Sequence, residues 1–331
     1  AKNPISALDD GHSRAMYSAF ASAQLAYDEW LSLDITARND WSSTLPKKNN
    51  SFFYPSASLS WVFSDFMRSI DHKLPSWITF AKLRVSAAQV GKDPAPYNLY
   101  NVRKYQFEMG NRKPINNTIK LNANLKPEIK TSYEVGVDMK FLDNRLGFDF
   151  TYYYNTTKNQ AMLVDASSPW TQQWVNAGKI NNTGVEFMLY GTPVKTRDFQ
   201  FDITANLAHN SSTVKELADG VNRVYFAGDS NMPVKVGAVK GGKLGDIFAN
   251  NLMQRDAQGR VIIGADGLPM AATGDGNLEQ YLLDHPIGNI QPDLLMSITP
   301  TFTYKGISLT AMFDMKFGGD IVSVSEGMAT S

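Results

Sequence analysis

This sequence contains no cysteine. A disulfide framework and any cysteine-based metal or redox chemistry are thereby excluded, and the lack of cysteine fits a chain that crosses an oxidising periplasm. It has no run of about 18 apolar residues, so no transmembrane helix is expected. Membrane strands need no such run, because half of their residues are polar. The charges cancel: 32 Lys and Arg stand against 32 Asp and Glu over 331 residues. Electrostatics therefore give no case for nucleic acid as a partner. The four histidines, His12, His72, His209 and His285, are too far apart in sequence to share a metal, and no metal site or cofactor is expected. No G-x-S-x-G, H-E-x-x-H or catalytic triad pattern occurs, so the chain reads as a non-enzyme.

Aromatics are plentiful, with 14 Tyr and 18 Phe. Their arrangement is clearest over residues 131–155, TSYEVGVDMKFLDNRLGFDFTYYYN. Tyr133, Val135, Val137, Met139 and Phe141 alternate with Ser132, Glu134, Gly136, Asp138 and Lys140. After Asp143-Asn144-Arg145, the set Leu146, Phe148, Phe150, Tyr152 and Tyr154 alternates with Gly147, Asp149, Thr151, Tyr153 and Asn155. Alternation with period two on both sides of a short polar turn predicts a β-hairpin. One face is apolar and the other fully charged. Either the apolar face enters a soluble core, or it meets lipid while the charges line a lumen.

The same pattern recurs along the chain and predicts about ten strands, most of 10–12 residues. Soluble strands run to five or six, whereas a strand tilted across a bilayer needs about 9–11. Connections alternate between short ones (28–29, 143–145, 196–198, 305–306) and longer ones, including a loop of about 35 residues at 92–126 and a Gly- and Asp-rich one at 210–292. The linker 64–78, expected to hold one helical turn, is the exception to that alternation. Short periplasmic turns and long extracellular loops are the outer-membrane barrel pattern. The charged residues Asp34, Arg38, Lys82, Arg84, Glu134, Asp138, Lys140, Asp149, Glu186, Asp202, Asp314 and Lys316 all fall on the faces opposite the apolar ones, and are expected to face the lumen. An outward Lys or Arg at the bilayer midplane would cost about 2–4 kcal/mol, which accounts for that segregation better than a sandwich does. The expected fold class is all-β, an antiparallel transmembrane β-barrel over residues 1–331.

Two motifs invite other chemistry. Residues 237–244, GAVKGGKL, approach the phosphate-binding loop G-x-x-x-x-G-K-[ST], but Leu244 stands where the hydroxyl belongs; a glycine-rich loop is the better reading. Asp256-Ala257-Gln258-Gly259 and Asp266-Gly267 lack the ligand spacing of a calcium loop and read as turns of a small hairpin. Trp170, Trp174, Tyr225 and Phe226 lie in long loops and are the candidates for substrate or partner contact. Packing of loop against loop is the favoured reading of them.

Several passages carry a resemblance beyond this pattern. LSLDITARNDWSSTLP (31–46) followed by SFFYPSASLSWVFSDF (51–66), LRVSAAQVGKDPAPY (83–97), the stretch 124–160, NAGKINNTGVEF (176–187) and YKGISLTAMFDMKFGGDI (304–321) resemble the SusC/RagA-type TonB-dependent outer-membrane transporters of Bacteroidetes. The resemblance implies a 22-stranded barrel with an N-terminal plug, of which these are about ten middle and later strands; both chain ends are expected to be cuts within a longer protein. It also implies import of a glycan or peptide oligomer with a SusD-like surface lipoprotein, driven by TonB–ExbB–ExbD through the N-terminal part, in a barrel bathed by outer-membrane lipid. A siderophore or haem importer, a passive porin or adhesin barrel, and a soluble secreted carbohydrate-binding β-protein remain the alternatives.

The face assignment is directly testable. Leu33→Arg is expected to lower the yield of heat-modifiable barrel in outer-membrane fractions, by a cost of about 2–4 kcal/mol, whereas Asp34→Ala assembles normally. Equal tolerance of both would reverse the assignment.

Overall fold

The computed structural model describes residues 13–101, 104–108, 111–115, 117–176, 178–227, 234–273 and 277–323; His12 lies outside them. Ten strands follow one another in a single antiparallel sheet: β1 (Met16–Tyr27), β2 (Leu31–Ser42), β3 (Ser51–Val62), β4 (Ile78–Lys92), β5 (Glu128–Phe141), β6 (Leu146–Lys158), β7 (Lys179–Lys195), β8 (Phe199–Glu216), β9 (Pro292–Tyr304) and β10, in two segments, Ile307–Thr310 and Phe313–Gly318. Each strand pairs with its neighbours in sequence, so the sheet is an up-and-down meander.

Alternation of Ile307, Leu309, Ala311, Phe313, Met315 and Phe317 predicts one continuous tenth strand, and its interruption has a cause. Both segments pair with β9 in the same register, for Phe302 faces Leu309 and Ile298 faces Phe313. Between them stands Pro300, which accepts from the Ala311 amide at 3.2 Å and has no N–H to return. The strands also outrun the sequence estimates at the loop end. β8 continues to Glu216, so the connection before β9 spans 217–291 and holds its own four-stranded sheet, Arg223–Ala227, Val234–Val239, Asp246–Ala249 and Gly288–Asn289. The connection from β6 to β7 likewise carries a hairpin, Ala161–Asp165 with Gln172–Asn176, beside Ile119–Lys120. The linker after β3 contains a helix, Phe63–Ser69, longer than the single turn expected.

Pairing across the sheet fixes which side chains share a face. One row runs Tyr27, Leu31, Trp61, Leu83, Val137, Phe150, Phe187, Leu207, Met296 and Met315, apolar through all ten strands. The row beside it, on the opposite face, runs Ala26, Ser32, Ser60, Arg84, Gly136, Thr151, Glu186, Ala208, Leu295 and Lys316. The apolar side chains are left open: Val135 and Tyr152 are each 43% exposed. Aromatic rings gather on this face toward the short turns, where Phe66 of the helix packs on Trp30 at 4.8 Å and Trp77 stacks on Phe141 at 5.7 Å.

The strands are staggered. The apolar row starts at the last residue of β1, Tyr27, and reaches β9 at Met296, eight residues (304 − 296) before that strand ends. With about 3.3 Å per residue and about 4.8 Å between strands, the short turns share one level when the strands tilt by about 35°. That lies at the lower edge of the barrel range. Left-handed residues make the turns tight: Lys305 and Gly306 have φ of 47° and 85°, the backbone of a type I′ hairpin.

At the other end the long connections are tied down. Asp93 accepts from Arg14 Nη2 at 2.6 Å and Arg14 Nε at 3.0 Å, from Ser42 Oγ at 2.5 Å and from Thr44 Oγ1 at 2.8 Å. Leu45, Phe52 and Leu125 form the buried cluster beside it. Burial alone would raise the Asp93 carboxyl; hydrogen bonds from Ser42 and Thr44 and the charge of Arg14 outweigh it and hold the group below the usual carboxylate range. A depressed carboxylate stabilises fully above its unfolded pKa, about 3.9, and the contribution is lost as pH falls through the lower folded value. Limited proteolysis of the 93–127 connection is therefore expected to stay slow from neutral pH down to about 4 and to rise only in stronger acid. Asp93→Asn should raise it at neutral pH already.

Candidate functional site

The charged face is built by strand period alone. Asp34, Lys82, Arg84, Glu134, Asp138, Lys140, Asp149, Glu186, Asp314 and Lys316 fall in the polar rows given by the pairing, with Arg38 and Asp202 on the same face of β2 and β8. Near its centre the row Lys82, Asp138, Asp149, Met188, Asn206, Ser297, Asp314 sets two carboxylates directly opposite each other at Asp138 and Asp149. Like charges so placed repel. Arg84 relieves this by reaching from β4 across β5, its Nη2 lying 2.7 and 2.8 Å from the two Asp149 oxygens. The route passes over Gly136, where a β-carbon would stand 2.9 Å from that nitrogen.

Two further glycines serve rings in the same way. The Tyr190 ring lies over Gly147, and the Tyr153 ring over Gly184 with its hydroxyl donating to Asn210 Oδ1 at 3.1 Å. Glycines flattened under aromatic rings recover packing that the missing side chain would forfeit. Asp149, Glu186, Met188, Asn206, Ser297 and Asp314 line an open hollow of about 370 Å³ beside them. Lys140 lies over the Phe80 ring at 5.2 Å. Asp202 is held by Thr192 Oγ1 at 2.6 Å and Gln200 Nε2 at 2.8 Å. Arg38 pairs with Asp40 at 2.7 Å, and Tyr54 donates to the same carboxylate at 2.6 Å. Asp40 and Tyr54 were missed because the alternation was followed only to Arg38 in β2 and only from Ser56 in β3; continuing it past Arg38 would have found Asp40.

The loop aromatics do not converge on one sheet. Trp174 stands opposite Leu163 in the hairpin of the β6–β7 connection, with Trp170 in its turn, and both are half-buried. Tyr225 belongs to the four-stranded sheet, edge-on to Phe248 at 6.1 Å and flanked by the Lys235 ammonium at 5.0 Å. Phe226 is exposed. The glycine-rich stretch 237–244 is occupied by its own chain: the Lys243 amide donates to Asp246 Oδ2 at 3.0 Å, where a phosphate-binding loop would hold an anion. Asp256 likewise accepts from the Gln258 and Arg260 amides at 2.9 Å and closes a turn.

Residues 1–242 match the model of the family described as TonB dependent receptor-like, beta-barrel. The chain belongs to this family. The TonB-dependent receptor SusC of Bacteroides thetaiotaomicron is 26% identical over 321 residues, covering 89% of this chain and 31% of SusC. TonB-dependent receptor P3 of Formosa agariphila is 24% identical over 329 residues, covering 93% and 32%. This TonB-dependent receptor barrel thus spans about a third of the length of the curated relatives it matches. Its fold is similar to the RagAB peptide importer in the closed-closed state, with a TM-score of 0.73 at 21% identity over 92% of this chain and 34% of that one. Similarity to the outer membrane transporter YddB from Escherichia coli is lower, at 0.51 and 12% identity over 91% and 33%. The ten strands are outer-membrane barrel strands.

The glycines give a graded expectation. A β-carbon at Gly184 would fall 2.6 Å from the His209 carbonyl oxygen, fixed backbone, whereas at Gly136 it meets the mobile end of Arg84. Gly184→Ala is therefore expected to cost about 1–3 kcal/mol and lower the thermal midpoint in detergent. Gly136→Ala should cost under about 1 kcal/mol.

Proposed function

We propose that this chain forms part of the wall of a TonB-dependent importer that carries a glycan or peptide oligomer across the outer membrane. The polar face lines the lumen and the apolar face meets lipid; the short turns lie on the periplasmic side and the long connections outside the cell. The single observation that carries this reading is the face segregation: no Asp, Glu, Lys or Arg enters the apolar row through ten paired strands, while the opposite face holds Asp34, Arg38, Asp40, Lys82, Arg84, Glu134, Asp138, Lys140, Asp149, Glu186, Asp202, Asp314 and Lys316. A soluble sheet would need a second layer on that apolar face. The kinship with SusC and the likeness to the RagAB importer support uptake with a SusD-like lipoprotein over the extracellular mouth. TonB–ExbB–ExbD supplies the energy through the N-terminal part of the whole protein. The four loop aromatics stand on connections assigned to that mouth, where lipoprotein and substrate arrive. The lumen charges act by lining a hydrated path.

The experiment is uptake by the native host. Cells are given fluorescent oligosaccharides or oligopeptides, with and without the gene, and with and without a protonophore. Gene-dependent uptake that a protonophore abolishes is expected, for one of the two substrate classes. Uptake that persists in de-energised cells would mean a passive pore.

A further inference from the structure

The apolar surface is interrupted at the short-turn rim between β6 and β7. The row there runs Phe141, Leu146, Gly191 and Ile203, so Gly191 leaves a gap where its neighbours carry side chains. One extra residue in β7 between Gly191 and Val194 widens it. The result is a hollow of about 730 Å³ walled by Trp77, Leu142, Leu146 and Pro193, with Arg145 and Asp143 at its edge. Trp77 is steadied by its stacking on Phe141, and the Arg145 side chain is braced, Nη2 donating to the Thr192 and Pro193 carbonyls at 3.3 Å each. That leaves Nε and Nη1 to donate elsewhere. Arg145 and Asp143 are exposed, and among the described residues neither forms an ion pair. A tryptophan at the lipid–water boundary with open guanidinium N–H groups, a carboxylate and an apolar trough is complementary to a molecule with a phosphodiester, an ammonium and an acyl chain.

We propose that this rim hollow binds one glycerophospholipid with an ethanolamine head group, the phosphodiester on Arg145, the ammonium on Asp143 and an acyl chain in the trough over Gly191. Arg145 takes the phosphate through charge-assisted hydrogen bonds from the N–H groups that the Thr192 and Pro193 carbonyls leave open. Asp143 sets the preference for a zwitterionic head over an anionic one, which it would repel. The inference uses the assignment of the apolar face to lipid and is independent of what the barrel transports.

The test is native mass spectrometry of the full-length protein released from nanodiscs of equimolar phosphatidylethanolamine and phosphatidylglycerol. The wild type is expected to retain one phosphatidylethanolamine, at least about five-fold over phosphatidylglycerol. Asp143→Asn, whose carboxylate holds no part of the fold, should bind lipid without that preference. Arg145→Gln should lose most of both, and Gly191→Leu should exclude lipid by filling the trough; the thermal midpoint of each variant separates lost binding from lost folding. Equal retention of both lipids by the wild type, or a preference surviving in folded Asp143→Asn, would overturn the proposal.

Discussion

Everything in this sheet depends on a register that holds through the middle of every strand and shifts only toward strand ends. Side chains alternate across a strand, so a one-residue shift at any pair would turn the whole apolar set of that strand to the wrong side. Nine successive pairings keep Tyr27, Leu31, Trp61, Leu83, Val137, Phe150, Phe187, Leu207, Met296 and Met315 in one row. What holds the register is the cost of error: a single Lys or Arg turned into lipid at mid-depth costs about 2–4 kcal/mol. A slip of β5 would turn Glu134, Asp138 and Lys140 outward together. No comparable force acts on the polar face, which tolerates Gly136, Gly147 and Gly184 beside full charges, provided that Arg84, Tyr190 and Tyr153 lie over them.

That asymmetry decides how much could be read beforehand. The apolar face follows from period-two counting, because lipid demands only that each outward position be apolar. The ten strands, their order and the faces of Asp34 through Lys316 were all legible on that ground. The partners on the polar face were not. Arg84 binds Asp149 across two strands and 65 positions of sequence, and nothing in either local pattern names the other. Register supplies the pairing, and Gly136 supplies the clearance. The clamp around Asp93 was hidden for the same reason, since Arg14, Ser42 and Thr44 come from a strand edge and a turn that only the folded meander brings to one carboxylate. The long connection 217–291 was read as a Gly- and Asp-rich loop holding one small hairpin; its four-stranded sheet was missed because those strands are six residues long or shorter and lack sustained alternation.

The loop aromatics show a second limit. Composition marks Trp170, Trp174, Tyr225 and Phe226 as unusual for exposed loops, but cannot say whether a ring faces a ligand or its own sheet. Tyr225 meets Phe248, and Trp174 sits in a paired hairpin. Those rings contribute to the internal order of the connections. Exposed Phe226 is the member of the set with most surface to offer.

The irregularities are confined to places where the register can absorb them. Of the prolines in the ten strands, Pro292 opens β9, Pro55 is four positions from the start of β3, Pro193 is two from the end of β7, and Pro300 is four from the end of β9. The bulges follow suit: Thr79 at the start of β4 accepts from the Asp143 amide at its hydroxyl oxygen, and the Thr192–Pro193 bulge brings Val194 back to the face of Phe201. Proline cannot donate to the ladder and a bulge adds an unpaired residue. Either would be costly at mid-depth, where lipid supplies no alternative partner for a backbone group. Near the rim, water, turn carbonyls and side chains such as Arg145 supply partners. The same reasoning explains why the rim, and not the middle of the wall, carries the hollow at Gly191: only there can the chain give up a side chain and a ladder position together without leaving backbone groups unpaired in hydrocarbon.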